Sequence, residues 1–412
     1  MIKQSLKKIN LFKIYIIFLF LLSSYYLGSV YLLTVNNAMS EWVINYGGGF
    51  VRRGLIGELI FQFSNIFKLK LRDLFLIFQI FLYFFYYVSI YWLLKDIKKN
   101  FITSLAIFSP VFFSFGLYEL EALGRKEILM YILFSSNFYL FYKIKNINLN
   151  YIYTYFSLPI LILSHEAVVF YFAFYLFFFF ILDKKKDLRF WILNILTILI
   201  IIGLSMLIYL NPHTVIENTQ MCKRLVELSN EKCGLAAAFT SANISKHISE
   251  VDWKAVDIKN YFFIFIFGYS AIFLLIYNSR LMVKNFFIRY NLIYYFIICA
   301  FPGLILFLIA VDSGRWTSML YHMIAITYFG MLKLNIFNLN YNLSLKYINI
   351  SRNNFLYYFL IFLLAFGWSP KAVYHESFGT FPAYRMIVKT PKFISNYKNE
   401  NHILQKLLRK KN

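Results

Sequence analysis

Apolar runs long enough to cross about 30 Å of hydrocarbon recur along the whole chain, and no other feature restricts its folding as strongly. They fall at roughly 14–34, 74–94, 101–117, 128–142, 151–164, 167–182, 190–210, 261–278, 291–311, 318–336 and 355–368. In lipid every backbone polar group needs a partner within the protein, so runs of this kind fold as helices. The expected fold is all-α, a polytopic transmembrane bundle of about eleven helices forming a single integral membrane domain over residues 1–412. Composition agrees: 60% of the residues are hydrophobic and 15% are charged, against about 25% charged in a soluble domain.

The net charge of +23 does not require a nucleic-acid partner. Most of the lysines sit in short loops between apolar runs, where the positive-inside bias puts them. The basic start, MIKQSLKKINLFK, leads into a long apolar run with no small-x-small cleavage site, so it reads as an uncleaved first helix with a cytoplasmic N-terminus. Lys95 to Lys99, Lys143 to Lys145, Lys184 to Lys186 with Arg189, Arg280 to Arg289 and Lys333 to Arg352 then form the cytoplasmic loops, each with a basic excess. Residues 35–73, 118–127, 164–166, 211–260, 312–317 and a tail including 369–412 fall on the outer side.

The segment Tyr151 to Leu182 decides the parity. As one helix it would export the Lys184–Lys186 run; as two short helices bent at Ser164-His165-Glu166 it keeps that run inside. A bend of this kind survives in a membrane where it is buried in protein or lines a wet cavity. Cys222 and Cys233 lie in the largest outer segment, where oxidation is permitted, and are expected to form a disulfide. Cys299 sits inside an apolar run as inert packing.

Four motifs gather on the outer side. In the first, Asn45-Tyr46-Gly47-Gly48-Gly49-Phe50-Val51-Arg52-Arg53-Gly54-Leu55-Ile56-Gly57-Glu58, a glycine run enters a helix whose first turn carries two arginines. Those arginines oppose the helix dipole unless an anion joins them, which suits a phosphate. A tight turn with headgroup-binding arginines is the plainer reading. The second, Glu119 to Glu127, holds Arg125 and Lys126, and on a helix Glu121 would pair with Arg125. His165-Glu166 is the third: intramembrane ionisable groups default to function, although such a pair also ties helices together. In the fourth, Asp312-Ser313-Gly314-Arg315-Trp316, Asp312 and Arg315 share a helix face. Trp316 reads either as an interfacial anchor or as a sugar-stacking platform. His375, Glu376 and Arg385 lie in the tail without a role. No internal repeat, Walker loop, dinucleotide fingerprint, nucleophile elbow or metal-ligand spacing stands out.

Together Gly-Phe-Val-Arg-Arg-Gly-Leu-Ile-Gly, Gly-Arg-Lys-Glu, His-Glu and Asp-Ser-Gly-Arg-Trp resemble multi-pass proteins of bacterial surface-polysaccharide loci. Those proteins are similar to oligosaccharide-repeat-unit polymerases (Wzy type, of O-antigen or capsule) and, more loosely, to GT-C-class membrane glycosyltransferases. The resemblance covers about residues 10–370. It departs from the GT-C pattern in the first outer loop, which carries Glu41, Glu58 and Asp73 in place of an Asp-rich motif. The resemblance implies glycan transfer from a polyprenyl-diphosphate carrier on the periplasmic or extracellular face of the bacterial cytoplasmic membrane. Arg52, Arg53, Arg125 and Arg315 would hold the diphosphate, with Lys126, Glu58 and Trp316 among the substrate contacts. Glu166 or Glu127 would take the acceptor proton, with His165 orienting or sharing it, and Asp312 would orient Arg315 or bind a sugar hydroxyl. The expected partners are the lipid-linked glycan, the bilayer and other polysaccharide-assembly proteins, with no nucleic acid. No cofactor is expected, and a divalent metal stays open. Two other classes compete, a lipid-saccharide flippase or transporter and an acyltransferase centred on His165.

Overall fold

The computed structural model describes residues 10–31, 37–119, 121–229, 231, 233, 236–241, 258–282, 291–309, 312–339 and 355–370. The expected outer tail beyond 370, with His375, Glu376 and Arg385, lies outside the described residues, as do parts of the loops 211–260, 280–289 and 333–352. The chain is mostly helical. Its strands among the described residues are two three-residue pieces, Ser279–Leu281 (β1) and Phe337–Leu339 (β2), paired antiparallel. Four segments are long and apolar enough to cross a membrane: Leu11–Gly28, Leu71–Leu94, Leu188–Leu210 and Leu292–Ile309.

In chain order the helices begin with α1 (Leu11–Tyr31), α2 (Asn37–Trp42), α3 (Gly54–Phe67) and α4 (Leu71–Leu94). The expected single run 101–117 is instead broken into α5 (Phe101–Ile107) and a one-turn α6 (Phe115–Tyr118). The break is stabilised from one neighbouring helix, Ser313–Lys333. Tyr321 Oη donates to the Ala106 carbonyl at 2.6 Å, and Ser318 Oγ donates to the Val111 carbonyl at 2.9 Å. Side chains thus satisfy the backbone groups that the missing helical turns leave open.

Next come α7 (Glu127–Ile144), α8 (Ile147–Ser164), a 3-10 turn Glu166–Tyr171 and α9 (Phe172–Leu182). The bend falls at His165, whose φ of −160° and ψ of 102° end α8. Tyr151 near the start of α8 stacks on Phe179 near the end of α9, with centroids 3.8 Å apart. Arg189 joins Asn148 and Asp183 across the base. Tyr151 to Leu182 is therefore a hairpin, with His165-Glu166 at its tip.

The remaining helices are α10 (Leu188–Leu210), α11 (Val215–Ser229), α12 (Ala236–Ser241), α13 (Ile258–Tyr277), α14 (Leu292–Leu304), α15 (Leu306–Ile309), α16 (Ser313–Lys333) and α17 (Phe355–Phe366). Burial inverts the pattern of a soluble bundle. In α10 the buried positions are Phe190, Asn194, Thr197 and Ile201, while Leu188, Ile192, Ile195, Leu196, Leu199 and Ile202 are exposed. In α16 every residue from Ser313 to Met331 is buried, including Ser318, His322 and Thr327. A helix surrounded by protein carries small and polar residues, whereas one facing lipid carries aliphatics.

Contacts sort the helix ends into two sets. Asn10 meets Tyr91, Lys333 pairs with Asp96, Tyr357 reaches the Lys99 carbonyl, and Met282 bonds to Ile336. These join the starts of α1 and α17 and the ends of α4, α13 and α16 at one end of the bundle, called here the basal end. The four motifs meet at the other.

Candidate functional site

Five chain segments converge at the motif end. Glu41 comes from α2, Arg52 and Arg53 from the turn before α3, and Arg125, Lys126 and Glu127 from the turn into α7. His165 and Glu166 come from the hairpin tip, and Asp312 and Arg315 from the start of α16. The expected loop 312–317 is thus mostly the buried first turn of a helix. The turn before α7 is held by Gly124, at φ 75°, whose N–H donates to Tyr83 Oη at 3.0 Å.

The charges form two adjoining networks. In the first, Arg53 presents its fork to Glu166: Nε donates to Oε1 and Oε2 at 2.9 and 2.8 Å, and Nη2 to Oε1 at 2.7 Å. Arg52 approaches the same carboxylate at 3.7 Å and donates to the Phe239 carbonyl at 2.7 Å. Glu41, fully buried, lies between Arg53 at 3.3 Å and Arg125 at 3.5 Å. In the second, Arg315 Nε donates to Glu127 Oε1 at 2.8 Å, and its guanidinium also engages Asp312. His165 Nε2 sits 3.7 Å from the same Glu127 oxygen.

Buried arginine–carboxylate geometry of this kind is strong because the guanidinium fork matches two oxygens. The charge count is close to balanced: Arg52, Arg53, Arg125, Arg315 and Lys126 face Glu41, Glu127, Glu166 and Asp312. Burial pushes the Glu41 carboxyl up, but Arg125, His165, Arg53 and Arg315 outweigh it and hold the group below its ordinary range. Lys126 behaves oppositely. Burial pulls its ammonium down to about 7, despite Glu41 nearby. Its Nζ donates to the Arg53 carbonyl at 2.6 Å, bracing a residue whose φ of 64° is left-handed. With Lys126 neutral, four arginines face four carboxylates.

Unspent hydrogen-bonding capacity is concentrated at one spot. Both ring nitrogens of His165 and Oε2 of Glu127 are buried without a hydrogen-bond partner among the described residues. Orphaned buried polar atoms mark where a water or ligand belongs. Glu127 also faces a cavity of about 50 Å³, lined by Tyr83, Tyr86, Tyr131, Arg125, Arg315 and His322. That is room for a few waters. Glu166 differs, because both of its oxygens are taken by Arg53.

Several expectations are corrected by this geometry. Two N–H groups of the glycine run are spent within the turn: Gly47 N–H donates to Asn45 Oδ1 and Gly49 N–H to the Tyr46 carbonyl. Its glycines permit close packing instead. A β-carbon on Gly48 would collide with the Glu217 carbonyl of α11, and one on Gly57 with the Ile44 carbonyl. Glu58 lies apart from the networks, bound to Arg224 at 2.8 and 3.0 Å and to the Tyr46 N–H at 2.9 Å. Glu121 does not pair with Arg125 through its carboxylate, because residues 121–124 form a turn and Arg125 Nε donates to the Glu121 carbonyl. Trp316 is buried at 4% exposure under the Arg315 guanidinium, so it neither anchors at an interface nor offers an open stacking face. Cys222 and Cys233 are bonded, with Cα atoms 5.1 Å apart, and Cys299 is buried. Among the described residues, no three His, Cys, Asp or Glu side chains converge as a metal site.

Glu41 is the site residue that motif reading passed over. The signal is structural: the four motifs hold five cations and six acids, but of those acids Glu127, Glu166 and Asp312 join the networks. A buried cluster needs compensation, which points to another carboxylate nearby. His322 and the cavity tyrosines carried no such signal, being spaced like ordinary helix core.

No family model, no curated protein and no solved structure matches the chain.

Proposed function

We propose that the chain is a membrane glycosyltransferase that polymerises polyprenyl-diphosphate-linked oligosaccharide repeats on the outer face of the bacterial cytoplasmic membrane. The observation that carries this reading is the buried Glu127–His165 pair, with unspent hydrogen-bonding capacity, set among four arginines. An acceptor hydroxyl needs a base, and a departing diphosphate needs fixed positive charge. In this mechanism the acceptor oxygen bonds to the anomeric carbon while the carbon–oxygen bond to the diphosphate breaks. The bonding electron pair leaves with the diphosphate, and the hydroxyl proton passes to Glu127 Oε2, beside His165. Of the two carboxylates first considered, Glu127 is preferred, because Arg53 occupies both oxygens of Glu166.

The topology proposed with it has eleven crossings and a cytoplasmic N-terminus. The two sets of helix ends support the alternation, and the lysine-rich basal loops support the orientation. A second reading, a lipid-saccharide transporter, draws on the interrupted segment 101–118, since broken helices line transporter sites.

Gene deletion in a host making a laddered surface polysaccharide separates the two. A polymerase leaves single-repeat product, while a transporter abolishes surface repeats. Complementation with Glu127→Gln, verified as folded by size exclusion, should lose at least about a hundredfold of chain extension, the usual worth of a general base. A full ladder from that variant refutes the mechanism.

A further inference from the structure

The site above is nearly neutral, whereas unbalanced positive charge lies at the basal end. We infer that the basal end carries a binding site for a phosphoryl anion. A cavity of about 640 Å³ opens between the α7–α8 turn, the α9–α10 turn and the end of α16. This is within the range of small-ligand sites, roughly 300–1,000 Å³. Lys145, Lys184, Lys185, Arg189 and Lys333 line it, against one acid, Asp183. Two of these cations are already matched, Arg189 by Asp183 and Lys333 by Asp96. Lys145, Lys184 and Lys185 have no ion pair among the described residues.

The floor is apolar, built by Phe141, Ile181 and Leu334 among others. A second cavity of about 700 Å³ adjoins it, sharing Tyr142, Lys333 and Asn335 as a wall. Three unmatched ammonium groups over an apolar floor fit an anionic headgroup whose acyl chains continue into the bilayer. A free phosphate-bearing solute would use the same lysines without the floor.

The test uses the purified full-length chain in detergent, with bound ligand read by native mass spectrometry. Dioleoyl phosphatidylglycerol, dioleoyl phosphatidylcholine and inorganic pyrophosphate are the probes. Phosphatidylglycerol should bind in preference to phosphatidylcholine. The triple variant Lys145→Ala, Lys184→Ala, Lys185→Ala should weaken it by roughly a hundredfold, at about 1 kcal/mol per surface lysine. A charge-matched control, Lys13→Ala, Lys68→Ala, Lys70→Ala, removes exposed lysines outside the lining and not adjacent in sequence to it and should leave binding within about threefold, because screened charges at a distance act weakly. Pyrophosphate displacing the lipid assigns the site to soluble phosphates as well; failure to displace it assigns the site to lipid. Equal loss in both triples, or equal binding of the two lipids, overturns the inference.

Discussion

Glu41 gives the sharpest test of the charged site, because it contributes by compensation alone. The carboxylate lies 3.3 Å from Arg53 and 3.5 Å from Arg125 and is fully buried. At an effective dielectric of about 20, each contact amounts to about 5 kcal/mol of attraction. Desolvating the ions offsets much of that, and removing one partner of a buried pair costs a net of about 3–5 kcal/mol. Glu41→Gln keeps the shape and removes the charge. Unfolding entropy of about 2 cal/mol/K per residue converts the loss to roughly 3–6 °C in Tm over this chain. Thermal unfolding in nanodiscs measures it, with Glu121→Gln, an exposed carboxylate on the neighbouring turn, as the reference. The double variant Glu41→Gln, Arg125→Met restores the original net charge and should recover part of the loss. A Glu41→Gln protein melting within about 1 °C of wild type, or a double variant worse than both singles, would show that these charges are not coupled.

Other outcomes follow from the same geometry. The Lys126 ammonium is held at about 7 against an ordinary 10.5, so the unfolded chain binds the extra proton between those values and stability rises with pH across that window. Lys126→Met should flatten the rise in melting curves from pH 7 to 10; an unchanged slope contradicts the burial argument. For the same reason, diphosphate binding should draw a proton onto Lys126. Calorimetry of polyprenyl diphosphate in two buffers at pH 8 should show proton uptake by wild type and less by Lys126→Met. Gly48→Ala forces a β-carbon into the Glu217 carbonyl and should destabilise by about 1–3 kcal/mol as overpacking does, with α11 becoming the first site of proteolytic cleavage. Denatured without reductant, the chain should take up one alkylating label, at Cys299; three labels would mean that Cys222 and Cys233 are not joined.

Membrane physics makes the helical character of the fold legible in the sequence alone. The hairpin at His165 can be read because one long helix would part Lys184 to Lys186 from the other lysine-rich loops, a constraint independent of local propensity. Helix α16 was harder. Its apolar window was placed at 318–336, yet the helix begins at Ser313, because a span sheltered from lipid can start on Ser, Gly and Arg. The break within 101–118 was invisible, since the groups that stabilise it, Tyr321 and Ser318, lie more than two hundred positions away. The glycine run misled for a related reason. Small residues that admit a phosphate and small residues that admit a helix look alike in sequence, and here α11 fills the space. Most of the charged motif residues were identifiable by their rarity in an apolar chain. Their pairing was not, because Glu41 meets Arg125 across eighty-four positions.

The balance of charge also bears on how the proposed reaction would start. Four arginines facing four carboxylates leave little free positive charge, so a diphosphate cannot simply add to the cluster. Beyond the proton drawn onto Lys126, it has to take an arginine from a carboxylate. Arg315 is the informative case, because its loss would leave Glu127 buried beside His165 with its closest counter-charge gone. A carboxylate without its guanidinium binds protons more tightly. Substrate entry would therefore strengthen the base at the moment the acceptor hydroxyl needs one. Arg52 offers a parallel exchange, since its bond to the Phe239 carbonyl ties α12 to the site. A phosphate oxygen that replaced that carbonyl would release α12 from Arg52. On this reading the arginines do two jobs with one movement: they hold the leaving group and release the groups that kept the site closed and neutral.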